Sequence, residues 1–309
     1  MNRWADPAVI LVATDLSDLD RLMPFAVGEA EQTGARIILL HVIAGAEALT
    51  ADATGMPYYD PAGAFEIAAK ILESSGATAR SKGVLCDVLV REGNPAQQVL
   101  QAARQFHADR ILLGTRSRGR ISKLLLGSVA EQVLRSVNLP VITVGPEAHR
   151  EVVESAPQRV VLHATTLSEA SRPSAALACQ IASLHHARLV LLHVLPRMEE
   201  MERLTLPTGL DSAAMQQLRA LAADLSCTAL CVEPQVVHGN PSIEILAKAT
   251  ELHASLIVLG TTQRSQFENL TRDRTVYKVL AHARCPVLTL KEARTREEAF
   301  HIAQEVLHS

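Results

Sequence analysis

GNPAQQVLQAARQFHADRILLGT, residues Gly93–Thr115, returns 146 positions later as GNPSIEILAKATELHASLIVLGT, residues Gly239–Thr261. The same offset carries Pro140 of LPVITV onto Pro286 of CPVLTL. Upstream, VILVATDLS (Val9–Ser17) matches VVLHATTLS (Val160–Ser168), and Leu40-His41-Val42 matches Leu192-His193-Val194. The offset drifts by a few residues only where loops and helices separate these blocks. Solenoid repeats run to about 20–50 residues, so a period this long means a duplicated domain. A chain of 309 residues is long enough for two such domains, each with its own core.

Each copy alternates short apolar, β-branched runs with segments of helical spacing. In the first copy the predicted strands are Ala8–Ala13, Arg36–Val42, Leu85–Arg91, Arg110–Leu113 and Pro140–Val144. Near-continuous apolar runs are the mark of strands buried on both faces of a parallel sheet. Between them, Ala96, Val99, Leu100 and Ala103 share one helical face. Pro95 and Pro241 fall where a helix best tolerates proline, in its first turn. Five β/α units with right-handed crossovers give an open, doubly wound sheet. The fold class is therefore α/β, with two tandem five-stranded parallel sheets. The predicted domains are residues 1–147 and 158–309, joined by a polar linker, Gly145–Gln158, that holds Pro146 and Pro157. Residues Glu292–Leu307 read as an extra amphipathic C-terminal helix, expected to pack on the outside of a domain, with partner binding left open.

Bulk chemistry removes several function classes. Net charge is −3 and aromatics are 3%, so neither a basic footprint nor a stacking platform for nucleic acid is present. The first ten residues lack the plan of a signal peptide, and no apolar run reaches membrane-span length. Five scattered cysteines make a disulfide framework unexpected, and a cytoplasmic location is the expectation.

Ligands of open α/β sheets sit beyond the carboxyl ends of the strands, where the strand order reverses. In the first copy one strand ends in Ala13-Thr14-Asp15. Another runs through Leu113 into Gly114-Thr115-Arg116-Ser117-Arg118-Gly119-Arg120, and Gly127-Ser128 then opens the helical run Val129–Val137. Glycine lets backbone N–H groups approach an anion, and a helix N-terminus presents unpaired N–H groups with partial positive charge. Arg116, Arg118 and Arg120 add charge for phosphate. Two bland readings compete. Ser128 and Glu131 spell a capping box, and Asp15-Leu16-Ser17 after a strand reads as a helix start. Capping accounts for Ser128 alone, and not for Gly114, Gly127 and Asp15 at the spacing of one pocket.

Gly114, two residues, Ser117, nine residues, then Gly127-Ser128 resembles the nucleotide motif of ATP-binding universal stress proteins, and both copies are similar to that family across essentially the whole chain. The resemblance implies the strand order 3-2-1-4-5, adenine near Asp15 and Val42, and phosphates on the glycine loop. It places the binding residues at Ala13, Asp15, Val42, Leu113, Gly114, Ser117, Gly127, Ser128 and Val129. The ligand it implies is ATP, or AMP or ADP, with magnesium. Ser117 stands where the family usually has glycine, which is expected to weaken or retune binding. The family further implies that the last strands pair the two domains as an intramolecular pseudo-dimer, and a homodimer is left open.

The second copy departs at this motif. Thr166 replaces Asp15, Gln263 replaces Ser117, Asp273 replaces Gly127 and Arg274 replaces Ser128, while Gly260 is kept. A carboxylate at residue 273 would repel phosphate, and Asp273 is expected to cap a helix instead. His163 and His193 lie near the ends of neighbouring strands, but no close metal-ligand spacing appears and no metal is expected. His41 repeats His193, which favours a role in the shared fold. Cys227 and Cys231 lack the second pair of a zinc site. Tyr58 and Tyr59 would cover the first pocket or fill a groove. A G-x-x-x-x-G-K P-loop and a nucleophile elbow are both missing. The resemblance therefore implies a stress-response or regulatory nucleotide binder. The alternatives are a slow ATPase or nucleotide hydrolase, or an interaction protein with both sites vestigial.

Overall fold

The computed structural model describes residues 3–44, 61–115, 126–148, 158–197, 209–225, 231–261 and 273–292. Two compact units divide the chain, one comprising Pro7–Val144 and the other Gly145–Ser309 with Met1–Asp6. The first unit runs β1 (Val9–Thr14), α1 (Leu19–Thr33), β2 (Arg36–Ile43), α2 (Pro61–Ser81) and β3 (Cys86–Glu92). It continues with α3 (Pro95–Gln105), β4 (Arg110–Gly114), α4 (Ser128–Ser136) and β5 (Val141–Val144). All pairings are parallel, β2 with β3, β1 with β2, β1 with β4 and β4 with β5, which gives the order 3-2-1-4-5.

The second unit runs β6 (Val160–Ala164), a 3-10 turn (Glu169–Ser171), α5 (Arg172–Leu184), β7 (Arg188–Leu195) and α6 (Leu210–Asp224). After these come β8 (Cys231–His238), α7 (Pro241–Glu251), β9 (Leu256–Thr261), α8 (Asp273–His282) and β10 (Val287–Lys291). Its parallel pairs are β7 with β8, β6 with β7, β6 with β9 and β9 with β10, the same order again.

The predicted strands are present with ends moved by a residue, and the burial pattern explains why they were legible. Ile10, Leu11, Val12 and Ile37 through Leu40 are fully buried, so both faces of β1 and β2 are covered. Both prolines open their helices behind asparagine caps. Asn94 Oδ1 accepts the N–H of Gln97 at 3.1 Å, and Asn240 Oδ1 accepts that of Ser242 at 3.2 Å. Arg110 was legible as a strand residue but not as a core residue. It is 1% exposed and ion-paired with Glu29 of α1.

Three features correct the sequence reading. Asp15-Leu16-Ser17 does not start α1, whose N-cap is Asp18; the carbonyl of Asp18 accepts the N–H groups of Arg21 and Leu22. Cys179 is disulfide-bonded, whereas Cys86, Cys231 and Cys285 are free. The Ser128–Glu131 capping box does not form, as the site geometry shows below. Residues 149–157 of the predicted linker, Tyr58, Tyr59, Cys227 and the predicted C-terminal helix beyond Glu292 lie outside the described residues.

Candidate functional site

The switch point of the first sheet lies between β1 and β4, because the chain lays β2 and β3 to one side of β1 and returns to place β4 and β5 on the other. Register brings the proposed residues together there. Ala13 pairs with both Leu40 of β2 and Leu113 of β4, and Thr14 pairs with His41, the neighbour of Val42. Gly114 ends β4 beside Val144. Leu113 is buried, and Ala13, Asp15, Val42, Gly114, Gly127 and Val129 are half-buried, as suits a lining that a ligand can touch.

The turn after β1 is built by side chains. Thr14 Oγ1 accepts the N–H of Leu16 at 2.9 Å, and Asp15 Oδ1 accepts the N–H and hydroxyl of Ser17 at 2.9 and 2.6 Å. This Asx turn throws Leu16 into the left-handed region at φ 72°, which non-glycine residues rarely adopt. It spends one oxygen of Asp15 on the turn and leaves Oδ2 for a ligand donor. His41 Nδ1 donates to the Thr14 carbonyl at 2.9 Å, and His193 Nδ1 donates to the Thr165 carbonyl at the same distance. The repeated histidine thus ties the ends of the first two strands in each domain.

The start of α4 is anchored to the end of β4. Gly127 N–H donates to the Thr115 carbonyl at 2.8 Å, while Thr115 N–H donates to Val144 at 3.3 Å. Gly127 is the N-cap, with φ −61° and ψ 143°, and no side chain caps the helix. Ser128 is exposed and already the first helical residue, so its hydroxyl is one position too late for the capping box. Glu131 turns instead to Arg135, at 2.7 Å. The N–H groups of Ser128 and Val129 therefore stand without a side-chain cap beside the β4 end, the arrangement that attracts anions. Ser117 and Arg116, Arg118 and Arg120 lie outside the described residues.

One residue at this site was missed by sequence reasoning. Asp18 is 4% exposed, accepts the Thr14 hydroxyl at 2.6 Å, and lies against Gly114 so closely that a Cβ there would collide with its carboxylate. Glycine at 114 is required by this packing whether or not a ligand is bound. Burial raises the Asp18 carboxyl to about 6, against the opposing hydrogen bond from Thr14. In the second domain the equivalent threonine has a different partner. Thr165 Oγ1 meets Ser171 Oγ at 3.0 Å instead.

His163, one of the two histidines weighed for metal, is wholly buried. Its Nδ1 donates to the Val258 carbonyl at 3.1 Å, and burial lowers its pKa to about 4. Among the described residues no group of three His, Cys, Asp or Glu side chains is placed to hold a metal ion. No helix among them is long and apolar enough to cross a membrane. Asp273 is the first residue of α8.

A tandem pair of doubly wound α/β domains defines the class. Residues 8–145 and 158–291 each match the universal stress protein family, so the chain belongs to that family and carries its domain twice. Among curated relatives, universal stress protein YxiE of Bacillus subtilis is 31% identical over 143 residues, 44% of this chain and 97% of the relative. A Thermus aquaticus universal stress protein is 32% identical over 142 residues, 44% of this chain and 96% of its own. Two solved structures share the whole tandem fold. A universal stress protein from Archaeoglobus fulgidus has TM-score 0.70 and 22% identity, covering 93% of this chain and 99% of its own. A functionally unknown protein from Pseudomonas aeruginosa has TM-score 0.64 and 17% identity, covering 100% of both.

Proposed function

We propose that the first domain binds ATP or a related adenine nucleotide, with magnesium, and that the chain serves in the cytoplasm as a stress-response or regulatory protein, not as an efficient enzyme. The observation that carries this reading is the helix start at Gly127. It is anchored to the end of β4 through Thr115, bears no side-chain cap, and lies on the same sheet edge as Asp15. The backbone N–H groups of Ser128 and Val129 would hold phosphate, Asp15 would accept from the adenosine, and Ala13, Val42 and Leu113 would flank the base. The family motif at Gly114, Ser117, Gly127 and Ser128 supports the same assignment. The sequence carries neither a P-loop nor a nucleophile elbow, so turnover is expected to be absent or slow.

Calorimetry with magnesium and ATP tests the proposal. One molecule per chain is expected, since the second domain has Thr166 and Asp273 in place of Asp15 and Gly127. Gly127→Asp, which copies the second domain, should remove ATP binding. Asp15→Thr should weaken adenosine and ATP together. Unchanged ATP binding in a folded Gly127→Asp protein overturns the placement of the pocket.

A further inference from the structure

The second domain holds a cavity at the carboxyl ends of β6, β7 and β9. It measures about 410 Å³, within the range of small-molecule sites. Most of its wall is apolar, with Val194, Leu195, Ile245, Leu259 and Val276 among the lining. Neither sign of charge finds a ready partner there. Among the described lining residues there is no lysine or arginine. Asp273, the first residue of α8, brings a formal negative charge to the helix start that Gly127 leaves uncapped in the first domain. Glu292 lines the cavity too, but it is already engaged within the protein and packs over Gly260 as Asp18 packs over Gly114. It is a piece of wall, not a spare counter-ion. A charged ligand would give up its hydration here with no opposite charge to replace it.

Most hydroxyls of the cavity are already used. Thr165 Oγ1 accepts the N–H of Leu167 at 3.0 Å and meets Ser171 Oγ at 3.0 Å. Thr166 Oγ1 pairs with Ser168 Oγ at 2.9 Å. His193 is different. Its Nδ1 lies 2.9 Å from the Thr165 carbonyl, which can only accept, so Nδ1 carries the proton. The neutral ring therefore keeps Nε2 as an acceptor, in a half-buried residue of the cavity lining. Among the described residues Nε2 has no hydrogen-bond partner. An unused acceptor in an apolar cavity favours a ligand that donates.

We propose that this cavity binds an uncharged apolar ring compound bearing one N–H donor, with the ring against the aliphatic wall and the N–H on His193 Nε2. Apolar burial supplies the affinity, and the single hydrogen bond fixes the orientation. The site lies wholly in the second domain, and it does not depend on nucleotide binding by the first.

Four indoles separate charge from hydrogen bonding: 3-methylindole, its N-methylated form 1,3-dimethylindole, the cation tryptamine and the anion indole-3-propionate. Calorimetry on the full chain should place 3-methylindole first. Its lead over 1,3-dimethylindole should be roughly fivefold, the worth of one neutral hydrogen bond. Both charged indoles should bind more weakly than 3-methylindole. His193→Asn keeps an amide N–H for the Thr165 carbonyl but removes the Nε2 acceptor, so it should bring the two neutral indoles level. Val276→Phe should fill the cavity and abolish binding of all four, with circular dichroism as the check on folding. His41→Asn, the matching change in the first domain, should leave the ranking as it is. The proposal falls if 3-methylindole does not bind, or if either charged indole binds as well as it does. It falls equally if His193→Asn preserves the preference for the free N–H, if folded Val276→Phe still binds, or if His41→Asn is the variant that removes the preference.

Discussion

Replacing Asp18 by Asn should stabilise the first domain at alkaline pH and leave it almost unchanged at acid pH. The carboxyl is 4% exposed, packed against Gly114, and raised from 3.8 to about 6. About two pKa units at 1.36 kcal/mol each correspond to about 3 kcal/mol. The folded state prefers the protonated acid, so this favourable contribution is full below the unfolded value near 4 and is lost as pH rises through about 6. Asn is uncharged and can still accept the Thr14 hydroxyl, so the variant has no such loss. Urea unfolding of both proteins between pH 4 and pH 8 measures the difference, which cancels the titration of every other group. Hydrogen exchange in β1 and β4, read by mass spectrometry, assigns it to the first domain, which the chain's single Trp4 cannot do because Met1–Asp6 belongs to the other unit. The expected advantage of Asp18→Asn grows from near zero at pH 4 to as much as about 3 kcal/mol at pH 8. An advantage that does not change with pH would refute the idea that a desolvated carboxyl sits beneath Gly114.

Leu16, at φ 72°, should gain up to about 1 kcal/mol of stability on replacement by glycine and lose stability on replacement by valine, whose branched Cβ fits the left-handed region worst; thermal melts of the two variants check this. Glu29→Ala should cost about 3 kcal/mol in urea unfolding, because it leaves the buried Arg110 without this counter-ion, whereas Glu29→Met with Arg110→Met should recover much of the loss. Asp15→Thr should lower the affinity for adenosine and ATP by similar factors in calorimetry. Gly127→Asp should lower that for ATP alone, since only the phosphates meet the new carboxylate.

Most of the architecture was legible because it is written locally and written twice. Buried parallel strands need apolar residues on both faces, so VILVAT and RIILLHV announce themselves without reference to anything distant. Asn-Pro at the starts of α3 and α7 is a capping signal complete within four residues. The duplication was readable because both copies face the same local requirements at the same positions. At the candidate site, the strand ends carrying Ala13, Asp15, Leu113 and Gly114 followed from the same local pattern, since a parallel sheet gathers its carboxyl ends on one edge. Ser128 misled because a capping box depends on which residue adopts the extended cap conformation, and tertiary anchoring of Gly127 to Thr115 moved that position by one.

Only the tertiary structure decided which charges meet the glycines and the core. Asp18 reaches Gly114 across 96 positions of sequence, and Glu29 reaches Arg110 across 81. Glu292, read from the sequence as the first residue of a surface helix, lies over Gly260 instead. Each of these contacts joins different elements packed on or within a sheet whose order is not the order of the chain. Propensity and periodicity act over a few residues, so they set where strands and helices form. The energy of a buried carboxylate depends on what surrounds it in space, and that environment exists only once β1 has come to lie beside β4, and β9 beside β10.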